Sequence, residues 1–222
     1  MQAVKGRVPL QTLGRVPILL LVALGLALGC HTAPAPTAAP AHPELVELVK
    51  VIPDIVLDIR YATPNNFTGK TVYPVARCFL VKDAALALAK VQADLGTHGY
   101  GLKVFDGYRP LSVQRAFWAI LPDPRYVADP AKGSRHNRGY AVDLTLVDAK
   151  GHDVPMPTEY DDFTERAHRD FMELPQEAIA NRAVLEKAMT RRGFIPFPTE
   201  WWHFDYHGYE DKPNLDVPLE DL

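Results

Sequence analysis

The stretch SRHNRGYAVDLTL, Ser134 to Leu146, sets His136 and Asp143 seven residues apart across an Arg-Gly turn. From about Ala141 it predicts a strand with Val142, Leu144 and Leu146 on one face and Ala141, Asp143 and Thr145 on the other. Asp143 then sits mid-strand among apolar neighbours, a costly place for a lone carboxylate, so a salt bridge or a metal ion must compensate it. His203, in TEWWHF near the C-terminus, offers a third ligand. Two neutral imidazoles and a carboxylate form a familiar zinc shell with a fourth position left to water. Such a site lowers the pKa of water toward neutrality and polarises a carbonyl. Hydrolysis also needs a base that takes the water's proton and passes it to the leaving amine. Glu200, three residues before His203, is the candidate. On residue types alone, a structural His–Asp pair explains His136 and Asp143 as well as a metal does, and an edge strand with two packing tryptophans explains EWWH. The remaining histidines of the eight, His31, His42, His98, His152, His168 and His207, read as surface or satisfied core residues.

These side chains need elements to position them. KDAALALAKVQADLG predicts a helix from about Asp83, with Ala84, Leu88, Val91 and Leu95 on one face and Gly96 as a stop. LKVFDGYRP predicts a short strand ending in a turn. LSVQRAFWAIL predicts a helix that buries Val113, Ala116, Phe117 and Ile120. After a Pro-rich loop come the strand AVDLTL and a second loop containing GHDVPMPTEYDDF. PQEAIANRAVLEKAMTRRG predicts a third helix between Pro175 and Gly193. FIPFPTEWWHFDY reads as strand–turn–strand, because Pro196 and Pro198 oppose helix. Helices and strands mix without regular βαβ alternation, which favours α+β. No internal repeat is present.

The first 29 residues carry Lys5, Arg7 and Arg15 ahead of the apolar run VPILLLVALGLALG, which ends at Cys30. A basic start, a short apolar stretch and small residues before a cysteine read as an export signal, and the run is short for a membrane-spanning helix. LALGC resembles a bacterial lipobox, with Ala27 where Leu is more usual, so Cys30 is the candidate lipidation site and a possible membrane attachment. Residues 30–43 are Pro/Ala-rich and read as an extended tether. The folded part is expected over residues 44–222, in an exported protein of the periplasm or cell envelope. Without residues 1–29 the chain holds 21 Lys+Arg against 27 Asp+Glu, a formal charge of −6, which disfavours nucleic acid as a partner. With Cys30 lipidated, Cys78 has no partner and no disulfide is expected.

SRHNRGYAVDLTL together with TEWWHF is similar to the paired zinc motifs of the D-alanyl-D-alanine dipeptidases, the VanX-type metallopeptidases. Zinc D,D-carboxypeptidases and the hedgehog N-terminal domain are more distant relatives. DIRYATPNNFTGK, VFDGYRP and VPMPTEYDDFTERAH also fall in family order. The resemblance implies a single α+β domain whose small antiparallel sheet carries the site, flanked by helices. It implies one zinc ion per chain on His136, Asp143 and His203, with Glu200 as base. It also implies that Arg109 of DGYRP stabilises the tetrahedral intermediate, a task that suits a permanently charged guanidinium; a buried salt bridge with Asp106 is the other reading of that arginine. Tyr61, Ser134 and Asp161 match residues that hold the substrate, and Asp106 is carried over as a pocket residue. Asp162 competes with Asp161 as the ammonium-binding carboxylate, and alignment on the ER that follows favours Asp161. The Arg109–His136 loop is shorter than in antibiotic-resistance members. The expected activity is hydrolysis of the D-alanyl-D-alanine dipeptide to free D-alanine in cell-wall peptide turnover. A zinc D,D-carboxypeptidase acting on longer stem peptides and a non-catalytic wall-binding lipoprotein are the alternatives.

Overall fold

The computed structural model describes residues 43–222, together with Ala3 and Gly6. The expected export signal, Cys30, most of the tether, His31 and His42 lie outside the described residues. In chain order the elements are β1 (Leu45–Glu47), α1 (Leu48–Val51), β2 (Val56–Leu57), β3 (Phe79–Val81), α2 (Lys82–Gly96), β4 (Tyr100–Asp106), α3 (Leu111–Ile120), β5 (Ala141–Asp148), α4 (Gln176–Thr190), β6 (Phe194–Pro196) and β7 (His203–Tyr206). Five strands form one sheet in the order β2-β4-β5-β7-β6, and β1 pairs with β3 in a separate ribbon. The sheet is antiparallel except at its edge, where β2 runs parallel to β4.

The strand from Ala141 forms as expected and lies at the centre of this sheet. On one of its faces Val142, Leu144 and Leu146 are fully buried, as are Leu102 and Val104 of β4. Helices α2 and α4 pack against the sheet and against each other. Their buried residues, Leu88, Val91 and Leu95 from α2 and Leu185 and Met189 from α4, fall at the spacing that puts one helix stripe on the core. The opposite face of β5 is buried too: Asp143 and Thr145 are nearly inaccessible. Loop residues cover it, Tyr160 among them, whose hydroxyl reaches Asp143.

Helix α3 departs from the expected face. Ala116 and Ile120 are exposed, while Gln114 and Phe117 are buried. The cause is polar: Gln114 accepts from Arg109 and donates to the Ala128 carbonyl, so the helix turns its amide inward. No apolar period could reveal that.

Register is what assembles the site. Asp143 pairs with His203 on β7, and across the other edge with Asp106 on β4. The register of β4 against β5 shifts between Val104 and Asp106. Without that bulge Phe105 would oppose Asp143; the extra residue brings Asp106 there instead. Gly139 closes the turn after His136–Arg138 at φ 74°, a left-handed conformation that suits glycine. A Cβ there would also stand 2.6 Å from Leu45 Cδ2. This turn is the device that returns His136 to the face on which Asp143 stands.

Candidate active site

His136 comes from the turn before β5, Asp143 from β5 itself and His203 from the start of β7. All three are at least nine-tenths buried. His136 Nε2 lies 3.1 Å from His203 Nδ1, His203 Nδ1 lies 2.9 Å from Asp143 Oδ1, and His136 Nε2 lies 3.4 Å from the same oxygen. Ligand atoms at ~2.0–2.2 Å from one tetrahedral ion stand roughly 3.3 Å apart, so the triangle has the size a metal shell requires. The imidazoles are set for it as well. His136 Nδ1 donates to the Gly107 carbonyl at 2.7 Å, and His203 Nε2 donates to Asp205 Oδ1 at 2.9 Å. Each ring therefore turns its lone pair toward Asp143, and each is oriented by a partner behind it. These three residues could hold a metal ion.

Electrostatics agree with the geometry. Burial opposes the charge on Asp143, but the two histidines outweigh it and hold the carboxyl far below the usual range. Burial likewise opposes charge on His203, yet its bonds to Asp143 and Asp205 push it up to about 10. Without a metal, a proton fills the role of the cation between these groups. A metal held here would compete with that proton for the same lone pair.

Glu200 sits half-buried in the turn between β6 and β7, its Oε2 3.8 Å from His203 Nδ1. Burial, reinforced by the charge of Asp143 and opposed by His203, raises it to about 7. That is close to the working pH of a general base. Arg109 is 8% exposed. Its Nε and Nη2 donate to Asp106 Oδ2 at 3.0 and 2.7 Å, and its Nη1 donates to Gln114 Oε1 at 2.9 Å. The rings of Tyr61 and Phe117 flank the guanidinium. A guanidinium has five N–H groups, so one on each terminal nitrogen stays available. The salt bridge with Asp106 and a donor role toward the cavity are compatible.

Asp106 itself is not a pocket residue. It is 1% exposed, lies behind Arg109, and accepts from Tyr73 and from the Gly107 amide. The bulge that sets it opposite Asp143 also sinks it beneath the arginine, so it orients Arg109 and does not face the cavity.

A cavity of about 130 Å³ brings together the three candidate ligands, Glu200, Arg109, Tyr61, Ser134 and Asp161. That is small against the roughly 300–1,000 Å³ of drug-sized ligand sites. The Tyr61 hydroxyl donates to both oxygens of Asp161, at 3.1 and 3.3 Å. Burial and the charge of Asp143 raise Asp161 to about 8. Among the described residues, no lysine, arginine or histidine pairs with it. Asp161 adopts φ 62°, rare for a residue with a side chain, and it is Asp161, not Asp162, that lines the cavity. Asp162 accepts from the Thr164 amide in the loop instead. Ser134 accepts from the His136 amide at 3.3 Å, and its own hydroxyl proton has no acceptor among the described residues.

Several groups of the site escaped the sequence reading. Tyr160 donates to Asp143 Oδ2 at 2.8 Å, and its hydroxyl oxygen lies 3.2 Å from that of Tyr61; beside Asp161 in a loop, nothing local marks it. Asp205 was legible in principle, since two positions after His203 on a strand puts it on the same face. The Gly107 carbonyl carries no side-chain signal, though a Cβ there would lie 2.8 Å from the Phe79 carbonyl, so only glycine allows the approach.

The profile of the peptidase family described as D-ala-D-ala dipeptidase matches residues 41–217. The chain belongs to this family. It is similar to a D-alanyl-D-alanine dipeptidase of Escherichia coli (strain K12), 43% identical over 162 residues, covering 73% of this chain and 84% of that one. It is also similar to one from Enterococcus faecium, 33% identical over 196 residues, covering 78% and 96%. Among solved structures, the vancomycin resistance D,D-dipeptidase VanXYg in complex with a D-Ala-D-Ala phosphinate analog is similar at 22% identity and a TM-score of 0.41, covering 75% of this chain and 68% of that one. The chain is a metallopeptidase of mixed α+β fold.

The carboxylate behind His203 gives a test of the metal geometry. Asp205→Asn removes the charged acceptor and leaves the shape. Metal affinity should fall by about 10–100-fold, measured by competition with a chromophoric chelator, and unchanged affinity would show that Asp205 does not support the ligand.

Proposed function

We propose that this chain hydrolyses the D-alanyl-D-alanine dipeptide to free D-alanine, using one zinc ion held by His136, Asp143 and His203. The observation that carries the reading is Asp161: a half-buried carboxylate that forms no ion pair among the described residues, on the same small cavity as the three candidate ligands and Glu200. A free dipeptide brings an ammonium within a few ångströms of its scissile carbonyl, whereas a longer peptide brings a neutral amide to that place. The His/His/Asp donor set favours zinc among divalent ions, and the bound ion would supply Lewis-acid polarisation of the carbonyl and an acidified water.

The chain's own residues supply the rest. Asp161, steadied by Tyr61, takes the substrate ammonium. Ser134 offers its hydroxyl proton to the substrate's polar groups. Glu200 accepts the proton of the attacking water and hands it to the departing amine. Arg109, locked by Asp106 and Gln114, keeps a donor on each terminal nitrogen for the developing oxyanion, and its fixed position avoids reorganisation during the reaction. Tyr160 ties the reaction centre to the ammonium site, because one hydroxyl contacts both Asp143 and Tyr61.

The decisive assay follows D-alanine release by the zinc-loaded full chain from D-Ala-D-Ala and from a stem pentapeptide ending in D-Ala-D-Ala. Cleavage of the dipeptide alone is expected. Preferential cleavage of the pentapeptide would make the protein a D,D-carboxypeptidase, and cleavage of neither by a metal-replete chain would leave the wall-binding reading.

Glu200→Gln should lower kcat by about 10²–10⁴-fold while retaining stoichiometric zinc. In the native protein only the ionised Glu200 accepts a proton, so activity is lost as pH falls through its pKa. That pKa is about 7 without metal, and a bound dication draws it lower. kcat/KM should therefore fall on the acid side of neutrality. A rate that rises as pH drops from 7 to 5 would contradict the role of Glu200 as base.

A further inference from the structure

A continuous chain of aromatic contacts starts at Tyr61, the residue bonded to Asp161. Tyr61, bonded to Asp161, meets Phe67 edge-on with ring centroids 6.2 Å apart. Phe67 meets Phe163 at 5.7 Å, and Phe163 stacks on Tyr126 at 4.9 Å with the planes 29° apart. Phe67, Tyr126 and Phe163 come from three separate loops, and all three line the cavity that holds Asp161 and Glu200. Phe163 follows Asp161 by two residues, so the segment that turns the carboxylate inward also carries the ring that contacts the loop opposite. Aromatic pairs prefer such offset or edge contacts, and here they join loops that share no strand or helix.

We propose that the Tyr126–Phe163 stack is the length gate of the enzyme. The inference rests on the dipeptidase reading and adds which residues set the substrate's length. A peptide with a third residue on the amino side of D-Ala-D-Ala must extend its chain past Asp161, and the stacked rings line the same small cavity, Phe163 only two residues from that carboxylate. Asp161 selects for charge at that point, and the stack selects against further chain. The two selections are separable, because the rings can be removed while the carboxylate stays.

The test compares kcat/KM of the zinc-loaded full chain for D-Ala-D-Ala and for the tripeptide L-Lys-D-Ala-D-Ala. Phe163→Ala and Tyr126→Ala open the gate from its two sides, and Tyr126→Phe keeps the stack. The ratio of tripeptide to dipeptide kcat/KM should rise by about tenfold or more in the alanine variants, the scale on which pocket volume discriminates, and stay at the wild-type value in Tyr126→Phe. Reading a ratio cancels general losses of activity. An unmoved ratio in both alanine variants would overturn the gate, as would loss of dipeptide turnover without gain of the tripeptide. A wild-type chain that cuts both peptides equally would show that no gate exists there. If the wild-type chain cuts neither, the dipeptidase reading itself fails, and the gate with it.

Discussion

A buried carboxylate in the middle of the sheet is the constraint from which the rest of the site follows. Asp143 is 3% exposed, and an ionised group so placed survives only when paired and hydrogen-bonded. His203 faces it across one strand pair, His136 returns to it through the Gly139 turn, and Tyr160 bonds its outer oxygen. Each partner is fixed in turn, His136 by the Gly107 carbonyl and His203 by Asp205. The bulge in β4 then brings Asp106 alongside, where it holds Arg109. One sheet row thus positions two of the candidate metal ligands, Asp143 and His203, together with Asp106, the carboxylate that holds Arg109.

The charges around the cavity do not balance among themselves. Three carboxylates line the cavity, Asp143, Asp161 and Glu200, and two more stand behind its lining, Asp106 under Arg109 and Asp205 behind His203. Apart from Arg125, which lines the cavity but pairs with Asp123, two guanidiniums oppose them: Arg109, and Arg135, whose Nε is 3.5 Å from Asp205 Oδ2. With the ligand histidines neutral, the ionised set carries three uncompensated negative charges. A dication between His136, Asp143 and His203 and an ammonium at Asp161 would neutralise it. Without them the structure compensates by protonation, seen in the raised positions of His203, Glu200 and Asp161. Each shift holds a proton on the group, which makes His203 a cation and draws Glu200 and Asp161 toward the neutral acid, and such perturbed groups gathered in one cavity are characteristic of functional sites.

The sequence made the long periodic elements legible. Helices α2 and α4, strand β5 and the β6–β7 hairpin lie where their patterns indicate, because each buries a stripe or face that its residues announce. The short elements β1, β2, β3 and α1 span two to four residues each, too few to display a period, and the three strands among them exist through pairing with distant strands. Helix α3 misled because a buried glutamine serving Arg109 rotates the stripe. In the site, residues with local spacing were visible: His136 with Asp143, and Glu200 with His203. Tyr160, the Gly107 carbonyl and the depth of Asp106 depend on loop packing, on the backbone and on a strand bulge, and none of these leaves a mark in residue order. Asp205 could have been read from strand alternation.

The central claim is that the His136–Asp143–His203 triangle is a metal centre and not a proton-filled ion-pair cluster. Its most direct test is the zinc content of the full chain after equilibration with zinc and removal of loose ions, beside that of His203→Ala with folding checked by circular dichroism. The account predicts one zinc per chain in the native protein and loss of it in the folded variant. A folded native chain that retains no zinc, or a variant that keeps it stoichiometrically, would contradict the account.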